Sequence, residues 1–93
     1  MTSTKLIEGH LDGRGHRIAV ICARFNDAIT ERLLASALDC LRRHGVRDAD
    51  VTVARVPGAF ELPLTARAFA GSGDHDGLVC LGAIIRGATA LQP

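Results

Sequence analysis

Ile18-Ala19-Val20-Ile21-Cys22 is an apolar run with no polar residue at alternate positions. A strand with one wet face alternates, so a run that does not alternate belongs inside a parallel sheet covered by helices on both faces. The chain supplies what such a sheet needs. After the first strand (17–23), Asn26 or Asp27 offers a helix N-cap, and Ile29, Leu33, Leu34, Ala37, Leu38 and Leu41 recur at helical spacing. Arg32, Ser36, Asp39 and Arg43 form the opposite stripe and Gly45 stands at a C-cap, predicting a helix over 27–44. Residues 51–56 are a second β-branched run. Pro63 suits a helix's first turn, and Leu62, Ala66, Phe69 and Ala70 mark an apolar face ending at Gly71-Ser72-Gly73. A third strand is expected over 78–85, and residues 5–10 are a candidate edge strand. The order β-α-β-α-β with short links defines an α/β domain with parallel strands. With the first strand central, the spatial order is 2-1-3, and the mouth between strands one and three is a topological switch point.

Bulk properties narrow the function. The 93 residues suit one domain, and 11 basic against 10 acidic residues leave no charge run to follow a nucleic-acid backbone or an anionic membrane. Neither nucleic acid nor membrane is expected as a partner. Three Phe and no Trp or Tyr make a poor base-stacking platform. Cys22, Cys40 and Cys80 are widely spaced within apolar stretches and read as buried, reduced thiols. The four histidines have no partners at metal or triad spacing, so no metal is expected; His44 reads as a helix C-terminal residue and the others as solvated loop residues. Residues 1–15 lack the apolar core of a signal peptide, and a soluble, cytoplasmic chain is expected.

Special residues cluster in three loops, each directly behind a strand. Phe25 follows the first and could stack on a flat heterocycle or pack as a staple on the helix start. Val56-Pro57-Gly58-Ala59-Phe60-Glu61 follows the second. There Gly58 permits close backbone approach, and Glu61 either accepts from ligand hydroxyls or sits at the positive end of a helix dipole. Gly82-Ala83-Ile84-Ile85-Arg86-Gly87-Ala88-Thr89 follows the third. Ala88 stands where a P-loop requires lysine, which argues against a nucleotide triphosphate; a smaller phosphate on the 87–89 amides and a plain strand exit both stay open. Ligands of open parallel sheets bind at these carboxyl ends, so three marked loops point to one pocket.

In register, Ala23-Arg24-Phe25-Asn26-Asp27, Arg42-Arg43-His44-Gly45-Val46, Val56 to Pro63 and Gly82 to Thr89 resemble the lumazine synthase family. The resemblance implies a flavodoxin-like three-layer α/β sandwich in the riboflavin pathway. Its reaction condenses 5-amino-6-(D-ribitylamino)uracil with 3,4-dihydroxy-2-butanone 4-phosphate, without cofactor, to 6,7-dimethyl-8-ribityllumazine. By the same resemblance Phe25 stacks on the pyrimidine, and Ala59, Phe60 and Glu61 hold the ribityl chain. Ala83, Ile84 and Ile85 present backbone groups to the uracil, while Ala88 and Thr89 bind the butanone phosphate. The family's proton-donor histidine falls at Leu91 here, so no catalytic side chain is assigned. The family's later elements do not follow residue 93, and the chain reads as one incomplete domain over 1–93, truncated after its third core strand. Family members form pentamers and larger shells with sites between subunits, an assembly this chain is not expected to reach unaided. The alternative reading is a non-catalytic ligand-binding or subunit-interaction module; a chain that continues beyond Thr89 is a third.

Overall fold

The computed structural model describes residues 3–86. Its organising element is β1 (Ile18–Ala23), in which Ala19 to Ala23 have no exposed surface. β1 pairs in parallel with β2 (Val51–Val56) on one side and β3 (Gly77–Leu81) on the other, giving the order β2-β1-β3. The register sets Ile18 opposite both Val51 and Gly77, and Cys22 opposite Arg55 and Leu81.

Strand alternation then divides the core in two. On one face Val20 and Cys22 pack with Leu34, Leu38 and Leu41 of α1 (Asp27–Arg43) and with Val79 and Leu81. On the other, Ile21, Ala23 and Val56 meet Leu62, Ala66 and Phe69 of α2 (Leu62–Ser72). The result is a flavodoxin-like arrangement of three layers, with the expected order 2-1-3. An ion pair between Arg55 and Glu31 ties the outer strand to α1. Among the described residues no helix is long and apolar enough to cross a membrane.

Both helices stop where the sequence implies. His44 is the C-cap of α1 and Gly45 follows at φ 91°. The Gly45 amide donates to Arg42 O at 3.0 Å and the Val46 amide to Leu41 O at 3.0 Å, the paired bonds of a Schellman turn. Pro63 lies in the first turn of α2, and Gly73 closes it at φ 74°.

Several expectations are corrected. β3 ends at Leu81 rather than at residue 85. Beyond Ala23 the chain leans towards β2, with the Arg24 amide donating to Val56 O (2.8 Å) and that of Phe25 to Pro57 O (3.0 Å), so residues 82–86 lose a ladder partner on β1. Residues 5–10 form no strand: Leu6 and Ile7 are 75% and 84% exposed, and the segment pairs with no sheet edge. The apolar stripe of α1 is wider than the sheet beneath it, leaving Ile29 and Leu33 exposed. Ala70 is exposed too, and of the three cysteines only Cys22 is buried.

Asn26 occupies the N-cap position of α1, but in the left-handed region and without a side-chain cap bond. His75 is not a solvated loop residue. Its ring is half-buried edge-on to Phe69, with centroids 5.4 Å apart, and its Nε2 lies 3.1 Å from Thr52 Oγ1.

Beside it, Asp76 pins the start of β3. Its carboxylate accepts from the Arg17 amide at 2.8 Å, while its own amide donates to Arg17 O at 2.7 Å. The bond from the Arg17 amide, with the nearby Arg17 and histidine charges, holds the Asp76 pKa below the ordinary carboxylate value. A depressed folded-state pKa stabilises the fold above the unfolded value, about 3.9. That contribution disappears as pH falls through the lower, folded value. Urea midpoints measured from pH 7 down to pH 3 should therefore fall less steeply for Asp76→Asn than for the parent chain. Equal slopes would show that the pin carries no pH dependence.

Candidate functional site

The carboxyl ends of all three strands open into one cleft. β1 exits at Ala23, and its two ladder bonds to Val56 and Pro57 draw the Phe25 loop against the loop behind β2. There Gly58 is extended, and a short 3-10 turn, Ala59–Glu61, feeds α2 with the Glu61 amide donating to Gly58 O at 3.2 Å.

The third loop begins at Gly82, close against the end of β1 and the entry to α2. A Cβ there would lie 2.9 Å from Leu62 Cδ1, 3.5 Å from Ala59 Cβ and 3.7 Å from Ala23 Cβ. The absent side chain thus lets the backbone just after β3 pack closely on the end of β1 and the entry to α2. In the sequence Gly82 only opens the stretch whose 87–89 amides could take a phosphate or form a plain strand exit; in the structure it has a packing role.

The resulting cavity is about 740 Å³. Phe25 forms one wall, Gly58, Ala59, Phe60 and Pro63 a second, and Ala83, Ile84 and Ile85 a third. Two features make it a candidate site for a flat, partly apolar ligand. Its lining is small or hydrophobic, so polar recognition falls largely to backbone amides and carbonyls. Phe25 and Phe60 are 57% and 91% exposed, rings left for something else to cover. A staple role for Phe25 would need an apolar residue at the fourth helical position, and that position is Thr30.

Six residues singled out from sequence therefore line one cavity: Phe25, Ala59, Phe60, Ala83, Ile84 and Ile85. Glu61 is half-buried beside that wall rather than in it, with Oε1 3.8 Å from where a Cβ on Gly58 would stand. Ala88, Thr89 and Leu91 lie outside the described residues, and so does the phosphate reading that rests on them. No cluster of metal-ligating side chains occurs among the described residues.

By sequence alone Asn26 reads only as a candidate helix cap. In the structure it has φ 58°, and its Nδ2 is buried without a partner among the described residues. The signal was available, because Asn enters the left-handed region more readily than other residues with a Cβ.

A parallel sheet flanked by helices, with an apolar cleft at its switch point, defines a doubly wound α/β domain. The chain belongs to the 6,7-dimethyl-8-ribityllumazine synthase family, whose sequence model matches residues 15–92. It is 54% identical over 85 residues to the 6,7-dimethyl-8-ribityllumazine synthase of Chlorobium phaeobacteroides (strain DSM 266), covering 91% of this chain and 55% of that relative. With the enzyme of the same name from Nitratidesulfovibrio vulgaris (strain DP4) it shares 51% identity over 89 residues, or 96% of this chain and 57% of that one. The chain thus spans a little over half the length of these curated relatives.

The close packing at Gly82 yields a graded prediction. Gly82→Ala meets chiefly the mobile end of Leu62 and should be tolerated. Gly82→Val also forces methyl groups toward Ala59 and Ala23, which cannot rotate away, and should cost about 1–3 kcal/mol in urea unfolding. Equal stability of the two variants would show that the loops do not close on this residue.

Proposed function

We propose that the cleft is the uracil-binding half of a lumazine synthase site, acting in cytoplasmic riboflavin biosynthesis. The observation that carries the reading is the convergence of three loops on one apolar cavity with an uncovered Phe25 ring, in a chain of this family. Phe25 stacks on the pyrimidine. Ala59 and Phe60, with Glu61 behind them, receive the ribityl chain, the carboxylate accepting from its hydroxyls. Backbone groups of Ala83, Ile84 and Ile85 pair with the uracil edge. Ala88 and Thr89 receive the phosphate of 3,4-dihydroxy-2-butanone 4-phosphate.

The chemistry asks little of side chains. The 5-amino group of the uracil attacks the ketone and water leaves as the imine forms; phosphate is eliminated, and ring closure by the ribitylamino nitrogen expels a second water. The protein's part is to hold two small molecules in register and to move protons, which suits walls built from backbone and small residues. Neighbouring subunits complete the site in this reading, as the family resemblance implies.

The test is direct titration of the chain with 5-amino-6-(D-ribitylamino)uracil by calorimetry. Binding is expected, with Phe25→Ala weakening it about tenfold or more, the loss that removing a stacking ring from a base typically brings. Equal affinity of Phe25→Ala and the parent chain would remove the ring from the site.

A further inference from the structure

Thr30 is a polar residue with no exposed surface, set in the first turn of α1 behind the cleft wall. A buried hydroxyl needs a partner, and Thr30 Oγ1 donates to Asn26 O at 3.3 Å. The same carbonyl accepts the amides of Ile29 (2.9 Å) and Thr30 (3.0 Å). Below, the buried Cys22 Sγ lies 3.7 Å from Thr30 O, seating this turn on β1.

Three donors therefore converge on the carbonyl of Asn26, the one described non-glycine residue with positive φ, at 58°. A Cβ disfavours that conformation, so it persists where the surroundings over-determine it. Immediately before it stands Phe25, whose ring is more than half exposed.

We infer that Thr30 is a positioning residue: its buried hydroxyl holds Asn26 in the left-handed turn and so fixes Phe25 at the cleft wall. An ordinary mid-helix threonine also bonds four residues back, but to a residue that is itself in helical conformation. Here the acceptor belongs to the strained residue that ends the β1 loop. What Phe25 then stacks on is the reading proposed above; the lock itself is independent of that ligand.

Amide hydrogen exchange measured residue by residue on the ligand-free chain separates the two. Thr30→Val keeps the shape and removes the hydroxyl. It should lower protection of the Phe25 amide, which donates to Pro57 O, by roughly fivefold to tenfold, the worth of about one hydrogen bond. Val20 and Ile21 should keep their protection, and Thr30→Ser should restore that of Phe25.

Leu34→Val, in the same helix but away from the turn, serves as the control for lost stability. It should lower the melting temperature without selective loss at Phe25. If Thr30→Val does not fold, Thr30→Cys, a weaker donor of similar size, should show a smaller loss in the same place. Unchanged Phe25 exchange in the folded hydroxyl variant, or the same loss in Leu34→Val, would overturn the inference.

Affinity for 5-amino-6-(D-ribitylamino)uracil should fall with Phe25 protection across the series. If the parent chain does not bind it, the reading of the cleft fails while the exchange result still decides the lock.

Discussion

Everything in this domain depends on β1 having no solvent on either face. A strand in that position loses hydration on both sides and along both edges, so each backbone N–H and C=O must be met by a neighbouring strand. The two parallel ladders to β2 and β3 meet that requirement. Alternation sends Val20 and Cys22 to one layer and Ile21 and Ala23 to the other, so neither helix can be dispensed with. Because β1 leads into α1 on one face and β2 into α2 on the other, the connections diverge at the carboxyl end. The divergence leaves a crevice there, and the crevice is the cleft.

The cleft itself is made by backbone more than by side chains. Two hydrogen bonds past the end of β1 bring its loop beside that of β2, and Gly82 lets the third loop pack against the end of β1 and the entry to α2. Its walls are small and hydrophobic residues of the three loops. The rings of Phe25 and Phe60 among them are left exposed, and an uncovered aromatic ring at a switch point is more readily explained by a ligand than by stability. Thr30 and Asn26 belong to the same economy of parts: a polar group is buried so that one turn, and the ring beside it, has one conformation.

Much of the architecture was legible from short-range pattern. The non-alternating run of β1, the period of α1, the glycine caps at Gly45 and Gly73 and the proline opening α2 are local signals, and each element appears where its signal stands. The misreadings share a cause. The third strand reads on to residue 85 because Ile84 and Ile85 are good strand residues, yet the ladder ends where β1 turns away. Leu6 and Ile7 likewise favour a strand but have no edge beside them. Ile29 and Leu33 look like core, although the sheet covers only the ridge through Thr30 and Leu34.

By itself the sequence determined the layer architecture and the loops that carry special residues, because periodicity and caps act within a few residues. It also carried the family resemblance, through linked motifs in one register. Only the tertiary structure decided that Phe25, Ala59, Phe60, Ala83, Ile84 and Ile85 face a common cavity while Glu61 stands beside it. It alone decided that Gly82 is a point of close packing and that Asn26 turns left-handed over a buried threonine. These outcomes depend on contacts between residues tens of positions apart, whose distances are fixed only when two ladders and two helical layers close on β1.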